Sequence, residues 1–257
     1  EISVYAYSAA ISACEKGGQW VKALELFDEV KASGIEPNVI TYNATVSACE
    51  KGGQWEKALH VFDGMKASGI EPNVITYSAT ISACEKGGRW EKALELFDRM
   101  KANGLKPDVI TYKATISACE LSGEVRRAMS LFATAVSRGV FPTLWKSGML
   151  DLHELSSPVA RTAIRLALDD MLRRPAHRRF HDAETHGDFV IITGRGKDSE
   201  GGEAILRPAT LAMFRDEFAG QIECREDPQN PGVLVLPAVS LRAWIRRSRD
   251  ADPSFPA

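Results

Sequence analysis

Large apolar residues in the first half of the chain follow helical spacing in short segments. In residues 39–51, small side chains separate Tyr42, Val46 and Cys49, which lie three or four positions apart. The next segment, 54–68, carries its large apolar residues on one stripe and its charges on the opposite side. A pair of glycines separates the two segments, and a glycine and a proline follow the second. The pattern predicts a hairpin of two helices.

This hairpin pattern occurs four times, because equivalent residues recur at intervals of 35 positions. The recurring residues are Tyr7, Tyr42, Tyr77 and Tyr112; Cys14, Cys49, Cys84 and Cys119; and Pro37, Pro72, Pro107 and Pro142. A single hairpin cannot bury its apolar face alone, so neighbouring hairpins are expected to stack. We therefore predict an α-solenoid over residues 1–143, with units 4–38, 39–73, 74–108 and 109–143.

Four of the five cysteines occupy one repeated position, which favours a structural role. Equivalent helices of neighbouring repeats lie about 8–10 Å apart, whereas disulfide-bonded Cα atoms lie within about 7 Å. Cys224 has no equivalent in the repeats. The pattern predicts buried thiols without disulfides or a zinc cluster, which suits a reducing compartment.

The period stops between residues 138 and 148, where proline and glycine mark a linker at 144–148. Beyond it, short apolar runs alternate with amphipathic segments, which predicts a small α/β two-layer sandwich over residues 149–247 and a tail at 248–257. The expected strands are 149–153, 189–193, 220–225 and 233–236, and the expected helices are 158–172, 203–218 and 240–247.

Composition removes two simple interpretations. No apolar run reaches the roughly 20 residues that a membrane-spanning helix needs, so no membrane association is expected. The formal net charge of the 257 residues is only -2, with 32 Lys and Arg against 34 Asp and Glu. Overall charge therefore gives no attraction to nucleic acid, and any such binding must rely on local patches.

The repeated sequence resembles the pentatricopeptide repeat (PPR) family over residues 4–143, with the motifs VITYNA and ACEKGG in the first segment and WEKALELFD in the second. The competing interpretation is the tetratricopeptide repeat, a protein-binding module with a period of 34. Its tryptophan and glycine-tyrosine signature is absent from the first helix here. The PPR resemblance implies binding of single-stranded RNA, with one base for each repeat.

The resemblance also implies which residues read the bases, namely the fifth and last residues of each unit. These are Ser8 with Asn38, Asn43 with Asn73, and Ser78 with Asp108, which favour A, a pyrimidine and G in the 5′ to 3′ direction. The second residues would insert between bases (Tyr5, Ile40, Ile75, Ile110), and recurring lysines would face phosphates (Lys16, Lys51, Lys86). The polar residues before each helix also suit N-caps, and the two roles are compatible.

Unit four departs from the repeated pattern. Lys113 takes the fifth place, Thr143 takes the last place, and Leu121 replaces the recurring lysine. We assign this unit no base and expect it to close the array.

Two motifs in the second domain carry candidate chemistry. The motifs Leu150-Asp151-Leu152-His153 and Thr193-Gly194-Arg195-Gly196-Lys197, together with Asn230-Pro231-Gly232-Val233, resemble the Smr (small MutS-related) domain over about 147–247. Smr domains occur as nucleases on DNA or RNA, and a plant and algal branch joins them to PPR arrays. The resemblance implies an organellar protein, with the chloroplast ahead of the mitochondrion. Any targeting segment is expected to lie outside this chain.

Residue chemistry suits phosphodiester cleavage. Histidine is the residue type most often used as a general acid or base, so His153 is the candidate for that role. Asp151, two residues earlier on the same strand face, would orient His153 or hold a divalent cation such as Mg²⁺. Arg195 would bind a phosphate, which Gly194 and Gly196 would let approach the backbone. Two points oppose cleavage. An Asp and a His at a strand end can simply cap the next helix, and Glu154 stands where many Smr nucleases carry glycine.

Three functional hypotheses follow. The leading one is an organellar protein whose repeats bind a specific single-stranded RNA and whose Smr domain cleaves it nearby, with metal assistance. The second is an adaptor or stabiliser that binds RNA without cutting it. The third and weakest is a helical scaffold for protein partners, of which the sequence names none.

Overall fold

The computed structural model of the chain describes residues 3–146, 149–173, 187–194 and 204–251. It divides into an N-terminal unit that ends at Glu124 and a C-terminal unit that begins at Val125. Within the described residues, no helix is long and apolar enough to cross a membrane.

The N-terminal unit consists of helical hairpins, as predicted. Its helices are α1 (Val4–Lys16), α2 (Trp20–Ala32), α3 (Val39–Lys51), α4 (Trp55–Ala67), α5 (Val74–Lys86), α6 (Trp90–Ala102) and α7 (Val109–Leu121). The odd-numbered helices contact one another in sequence order, and each even-numbered helix packs between two consecutive odd ones. The unit is therefore a solenoid with a layer of first helices and a layer of second helices.

Each first helix begins at a polar cap and ends at a glycine turn. The side chain of Asn38 accepts hydrogen bonds from the N–H groups of Ile40 and Thr41, both at 3.0 Å. At the other end of α3, Gly53 has a φ of +67°, a left-handed conformation that glycine adopts without a steric cost. The turn lets the N–H of Gln54 donate to the carbonyl of Cys49 at 2.8 Å.

Aromatic pairs join each second helix to the first helix of the following repeat. The rings of Phe27 and Tyr42 meet edge to face with centroids 5.0 Å apart. The same contact recurs at 5.0 Å between Phe62 and Tyr77 and at 5.2 Å in the next repeat. Because edge-to-face geometry suits the ring quadrupoles, these pairs stabilise the stacking of neighbouring repeats.

A second contact between repeats explains why tryptophan and glycine recur together. A side chain built on Gly52 would overlap the ring of Trp20, and one built on Gly87 would overlap the ring of Trp55. Trp20 and Trp55 begin α2 and α4, so each packs against the glycine turn of the next repeat. The glycine is needed here for space rather than for its own backbone angles.

The cysteines are free thiols in largely apolar surroundings. Burial raises the pKa of the Cys49 and Cys84 thiols to about 11 and that of Cys224 to about 12. These side chains are therefore neutral packing groups at physiological pH, and weak nucleophiles.

The C-terminal unit combines helices with a five-stranded sheet. Its elements are α8 (Val125–Ser137), β1 (Trp145–Lys146), β2 (Met149–Asp151), α9 (Ser157–Arg173), β3 (Phe189–Ile192), α10 (Leu206–Glu217), β4 (Arg225–Asp227), β5 (Asn230–Leu236) and α11 (Ala238–Ala251). Among the described residues the strand order is β1-β2-β3-β5-β4, with the β2–β3 pair parallel and the three other pairs antiparallel. The helix α8, predicted as the second helix of unit four, contacts α9.

The strand register brings apolar residues into rows across this sheet. Leu150 pairs with Ile191, which pairs with Leu234, and all three are fully buried. Helix α9 packs against α10 and α11 and buries Ala163 and Met171. The next position on β2 is Asp151, so the polar motif begins where the buried row ends.

Two predicted strands are placed differently in the structure. The run 149–153 ends as a strand at Asp151, and the residues that follow form a turn. The strand predicted at 220–225 is wrong, because the pairing strand is β4 at 225–227. Its polar sequence hides it, but Gln229 N–H donates to the Asp227 carboxylate at 2.8 Å, which closes the turn into β5.

Candidate nucleic-acid interface

The predicted base-reading residues of unit three meet at the boundary between α5 and α7. Ser78 Oγ lies 3.4 Å from Asp108 Oδ1, and both atoms lie 2.7 Å from the hydroxyl oxygen of Thr111. Asp108 is also the N-cap of α7, because its Oδ1 accepts the Thr111 N–H at 2.8 Å. The two predicted roles of this residue therefore coexist in one geometry.

Unit two has the same arrangement with two amides. Asn43 Nδ2 donates to Asn73 Oδ1 at 3.4 Å, and the Thr76 hydroxyl donates to Asn43 Oδ1 at 2.6 Å. Asn73 Oδ1 also accepts the Thr76 N–H at 3.0 Å and lies 3.0 Å from the Thr76 hydroxyl oxygen. The threonine thus touches both predicted readers.

In unit one the threonine alone joins the pair. Ser8 Oγ lies 2.8 Å from the Thr41 hydroxyl oxygen, and that hydroxyl donates to Asn38 Oδ1 at 3.0 Å. Ser8 also reaches the carbonyl oxygen of Val4 at 2.8 Å. The fifth and last residues of units one to three are therefore brought together each time, while their role in base reading stays a prediction.

Our sequence interpretation missed the threonines Thr41, Thr76 and Thr111. They occupy the third position of units two to four and are fully buried. Their recurrence was a visible signal, but a buried threonine at a helix start reads as an ordinary structural residue. The structure shows that each threonine hydroxyl contacts the fifth and the last residue of the preceding unit.

Exposed apolar side chains lie next to these pairs, at the second position of each unit. The exposed fractions are 72% for Tyr5, 52% for Ile40, 60% for Ile75 and 57% for Ile110. Ile75 and Ile110 line an open groove of about 250 Å³, which Ser78 and Asp108 also line. The groove combines apolar walls with a polar floor, as a site for a flat heterocycle requires.

The recurring lysines differ from the expectation of a positive patch. Lys51 Nζ lies 2.6 Å from Glu15 Oε1, and Lys86 Nζ lies 2.6 Å from Glu50 Oε1. Each lysine follows a glutamate in sequence, so this row of side chains is close to neutral. Lys16 lies exposed at the end of α1. Surface ion pairs are worth only about 0–1 kcal/mol, so a phosphate can still compete for these lysines.

Unit four differs from the other units in its residues, as its sequence predicts. Leu121 is 65% exposed where earlier units carry lysine, and Glu85 accepts a hydrogen bond from Ser117 Oγ at 2.7 Å. Lys113 is half-buried at the fifth position. Thr143 belongs to the C-terminal unit.

A second candidate site lies after β2 in the C-terminal unit. The imidazole Nδ1 of His153 is hydrogen-bonded to Asp151 Oδ1, which also accepts the His153 N–H at 3.2 Å. The Asp151 side chain is 7% exposed and that of His153 is 45% exposed. His153 Nε2 lies 3.7 Å from Glu154 Oε1. Asp151 and His153 are therefore connected through a turn, and they do not share a strand face as expected.

Gly194 lies beside this pair. Its φ is +75°, and an added Cβ would lie 3.1 Å from the Cβ of His153. Its N–H donates to the carbonyl of Gly232 at 3.2 Å, so this amide is engaged within the sheet. Arg195, Gly196 and Lys197 lie outside the described residues.

The site at Asp151 and His153 offers an incomplete set of ligands for the divalent cation that the sequence analysis predicted. Across the described segments, no group of three or more His, Cys, Asp or Glu side chains is arranged to hold a metal ion. Asp151 Oδ1 is already hydrogen-bonded to His153. Asp151 and His153 by themselves therefore do not form a metal centre.

Comparison with protein families gives a match over more than half of the chain. Sequence profiles described as the PPR repeat family match residues 2–51, 37–86 and 79–120, and a profile described as the PPR repeat matches 110–140. A comparison with curated proteins gave no match.

Comparison with solved structures gives similar folds. The pentatricopeptide repeat protein PPR10 from maize is 27% identical, with a TM-score of 0.55 over 84% of this chain and 30% of that chain. PPR10 in complex with an 18-nt psaJ RNA element is 23% identical, with a TM-score of 0.55 over 86% and 29%. Nuclear proteinaceous RNase P 2 (PRORP2) from A. thaliana is 15% identical, with a TM-score of 0.55 over 86% and 43%. This chain spans less than half of each.

Proposed function

Because the chain belongs to the PPR repeat family, we propose that it binds single-stranded RNA and that each of its first three repeats contacts one base. The observation that carries the proposal is the threefold recurrence of one arrangement. At each repeat boundary, the polar fifth and last residues of one unit lie beside exposed apolar side chains. Repeats of this family read one base with two or three side chains. The RNA in one PPR10 structure is in keeping with this function.

The polarity of the pair in unit three suits guanine. Asp108 uses Oδ1 to cap α7 and to bind Thr111, so Oδ2 is the oxygen that can face a base. A carboxylate only accepts hydrogen bonds. Guanine offers adjacent N1–H and N2–H donors on its Watson–Crick edge, which match such an acceptor.

Units one and two end in asparagine, and the cap fixes the orientation of each amide. Asn38 and Asn73 accept backbone N–H groups through Oδ1, so Nδ2 is the atom that can face a base. An amide N–H needs an acceptor such as N1 of adenine or O2 of a pyrimidine. With Ser8 and Asn43 as partners, the chain would favour an A-pyrimidine-G core.

The exposed residues at the second positions would hold the bases from both sides. Ile75 and Ile110 line the groove at unit three, where a base between them would cover both side chains. Removing the apolar area of an isoleucine from water contributes about 1–2 kcal/mol. We expect Ile75→Ala and Ile110→Ala each to weaken RNA binding about five- to thirtyfold. Val21, an exposed apolar residue on α2, provides the control, since Val21→Ala leaves the groove intact.

Fluorescence anisotropy with labelled oligonucleotides tests this function on the full chain. An RNA with the core A-C-G should bind more tightly than the same RNA with the order reversed, and more tightly than a matched duplex. Equal binding to all of these would contradict base reading by the repeats. Absence of any RNA binding would leave the protein scaffold as the better interpretation.

A second candidate function is RNA cleavage of the Smr type, favoured by the Asp151–His153 hydrogen bond. Asp151 holds Nδ1 of the imidazole, so the half-exposed ring directs Nε2 away from Asp151. Nε2 could accept the proton of an attacking water or ribose hydroxyl as that oxygen bonds to phosphorus and the leaving oxygen departs. Arg195 and Gly196 remain predicted phosphate contacts. In this proposal the repeats select an organellar transcript and the C-terminal unit processes it.

Incubation of bound RNA with the full chain, with and without Mg²⁺, tests cleavage. His153→Ala should reduce the rate at least about 100-fold, as expected for loss of a general acid or base, while RNA affinity stays the same. His60→Ala, which alters an exposed histidine on α4, is the matched control. RNA that binds tightly but stays intact in both conditions would favour the non-cleaving adaptor.

A further inference from the structure

Three buried threonine hydroxyls each bridge the two residues of one predicted base-reading pair. We call these pairs the reader pairs: Ser8–Asn38, Asn43–Asn73 and Ser78–Asp108. Neither the sequence nor the family resemblance suggested a function for the threonines, whereas their contacts do. Thr41, Thr76 and Thr111 are fully buried, so they cannot contact RNA through an exposed surface. We propose that these threonines determine base specificity by fixing the positions of the reader protons. The inference rests on the proposed RNA-binding function.

Proton counting at unit three carries the argument. The carboxylate of Asp108 accepts only, so the hydroxyl of Thr111 must donate its single proton to Oδ1 at 2.7 Å. Thr111 Oγ1 therefore has no proton left for Ser78, which lies 2.7 Å away. Ser78 must donate to Thr111, or to Asp108 at 3.4 Å. Either way its proton is used inside the protein, and the serine presents only an acceptor to the groove.

Unit three then offers two acceptors, Ser78 Oγ and Asp108 Oδ2. Guanine alone among the four RNA bases has two adjacent donors on its Watson–Crick edge. A serine with a free proton could instead donate to N1 of adenine while Asp108 accepts from N6, so the site would bind adenine as well. Discrimination between G and A therefore depends on a hydroxyl that touches neither base.

The equivalent hydroxyl in unit two, that of Thr76, fixes the opposite hydrogen-bonding polarity. Thr76 donates to Asn43 Oδ1 at 2.6 Å, and Asn73 Oδ1 receives the Thr76 N–H at 3.0 Å. Both amide oxygens are turned inward, so both amides present N–H donors. Thr41 similarly donates to Asn38 Oδ1 at 3.0 Å. Threonine at this position thus determines whether each pair presents donors or acceptors to a base, depending on which acceptor atoms its hydroxyl can reach.

Three variants of the full chain separate this role from stability. Thr111→Val removes the hydroxyl with little change in volume, and Thr111→Ser keeps it. Thr115→Val is the matched control, because Thr115 is equally buried one turn later and its hydroxyl donates to the Thr111 carbonyl at 2.8 Å rather than to Ser78 or Asp108. Affinities are measured for two RNAs that differ only at the third core base, A-C-G and A-C-A.

We expect Thr111→Val to reduce the preference for G over A about three- to tenfold, the value of one hydrogen bond. Thr111→Ser and Thr115→Val should keep the wild-type preference. The preference is a ratio measured on one preparation, so a smaller folded fraction does not change it. If wild type prefers G and Thr111→Val keeps that preference, the threonine role is wrong while the proposed function stands. If wild type binds no RNA, both are overturned.

Discussion

The two candidate sites of this chain differ in how often their geometry occurs. In the N-terminal unit, a predicted base-reading pair and a bridging threonine recur at three repeat boundaries. The fifth residue of the pair is Ser or Asn, and the last residue is Asn or Asp. In the C-terminal unit, Asp151 and His153 form a single pair, and part of the associated motif lies outside the described residues. Recurrence lets each repeat serve as a control for the others, whereas the single pair must be tested by itself.

The largest expected effect comes from making unit three resemble unit one. Asp108→Asn turns the pair Ser78–Asp108 into the Ser–Asn pair found at Ser8 and Asn38. The cap is kept, because Asn Oδ1 accepts backbone N–H groups equally well. The outward atom becomes a donor, so we expect the preference at the third base to change from G to A. The swing should be about 10- to 100-fold, since a specific base contact is worth about 1–3 kcal/mol.

Competition binding with A-C-G and A-C-A RNAs measures this swing. Asp98→Asn, which neutralises an exposed carboxylate on α6, controls for the change in charge. A variant that loses affinity equally for both RNAs would show that Asp108 contributes only charge or capping.

A second prediction concerns the contact that makes the repeats stack. Gly87→Ala would force a methyl group into the ring of Trp55, and overpacking of this kind costs about 1–3 kcal/mol. Gly64→Ala is the matched control. Gly64 lies inside α4 with open space around it, so its alanine variant should be more stable by about 0.5–1 kcal/mol. Urea unfolding of both variants checks the opposite signs, and equal shifts would contradict the packing explanation.

Prediction from sequence worked best where the pattern is repeated. Helix bounds within 39–68 follow from one hairpin, because glycine, proline and the apolar stripe agree at every repeat. The reader pairs were also selected in advance, since the resemblance supplied their positions. Their contacts with Thr41, Thr76 and Thr111 were not predicted, because a hydrogen bond between residues 33 positions apart leaves no periodic signal beyond a constant spacing.

The C-terminal unit was predicted less completely for physical reasons. The apolar strand 189–192 was evident from its composition, whereas β4 at 225–227 is polar and forms through its pairing with β5. The expectation that Asp151 and His153 share a strand face assumed regular backbone to His153. The carboxylate of Asp151 instead accepts the His153 N–H and stabilises a turn, which strand periodicity does not describe.

A third prediction uses the buried thiols. The pKa of Cys84 is raised by burial to about 11, so the unfolded chain releases this proton first, near pH 8.5–9. Stability from the neutral thiol is therefore complete below about pH 8.5 and is lost as pH rises from there toward 11. We expect the stability difference between wild type and Cys84→Ala to shrink by on the order of 1 kcal/mol over this window. Chemical unfolding at several pH values measures it, and a constant difference would contradict the assignment.

The smallest expected effect tests the near-neutral row of Lys and Glu side chains. Glu50 lines the groove and pairs with Lys86 at 2.6 Å. Glu50→Gln removes one negative charge beside the RNA and releases the lysine to a phosphate. RNA affinity should therefore rise about two- to threefold at low salt. The slope of log affinity against log salt concentration should steepen by about 0.7 for the added phosphate contact.

Glu91→Gln makes the same charge change at an exposed position on α6 that does not line the groove, and should change affinity less. If both variants raise affinity equally, net charge rather than the paired lysine governs binding, and the lysines at this position lose their assigned role. If Glu50→Gln alone raises it, the glutamates restrain each lysine until RNA arrives, which explains how an overall acidic chain can bind a polyanion through residues that are paired in its absence.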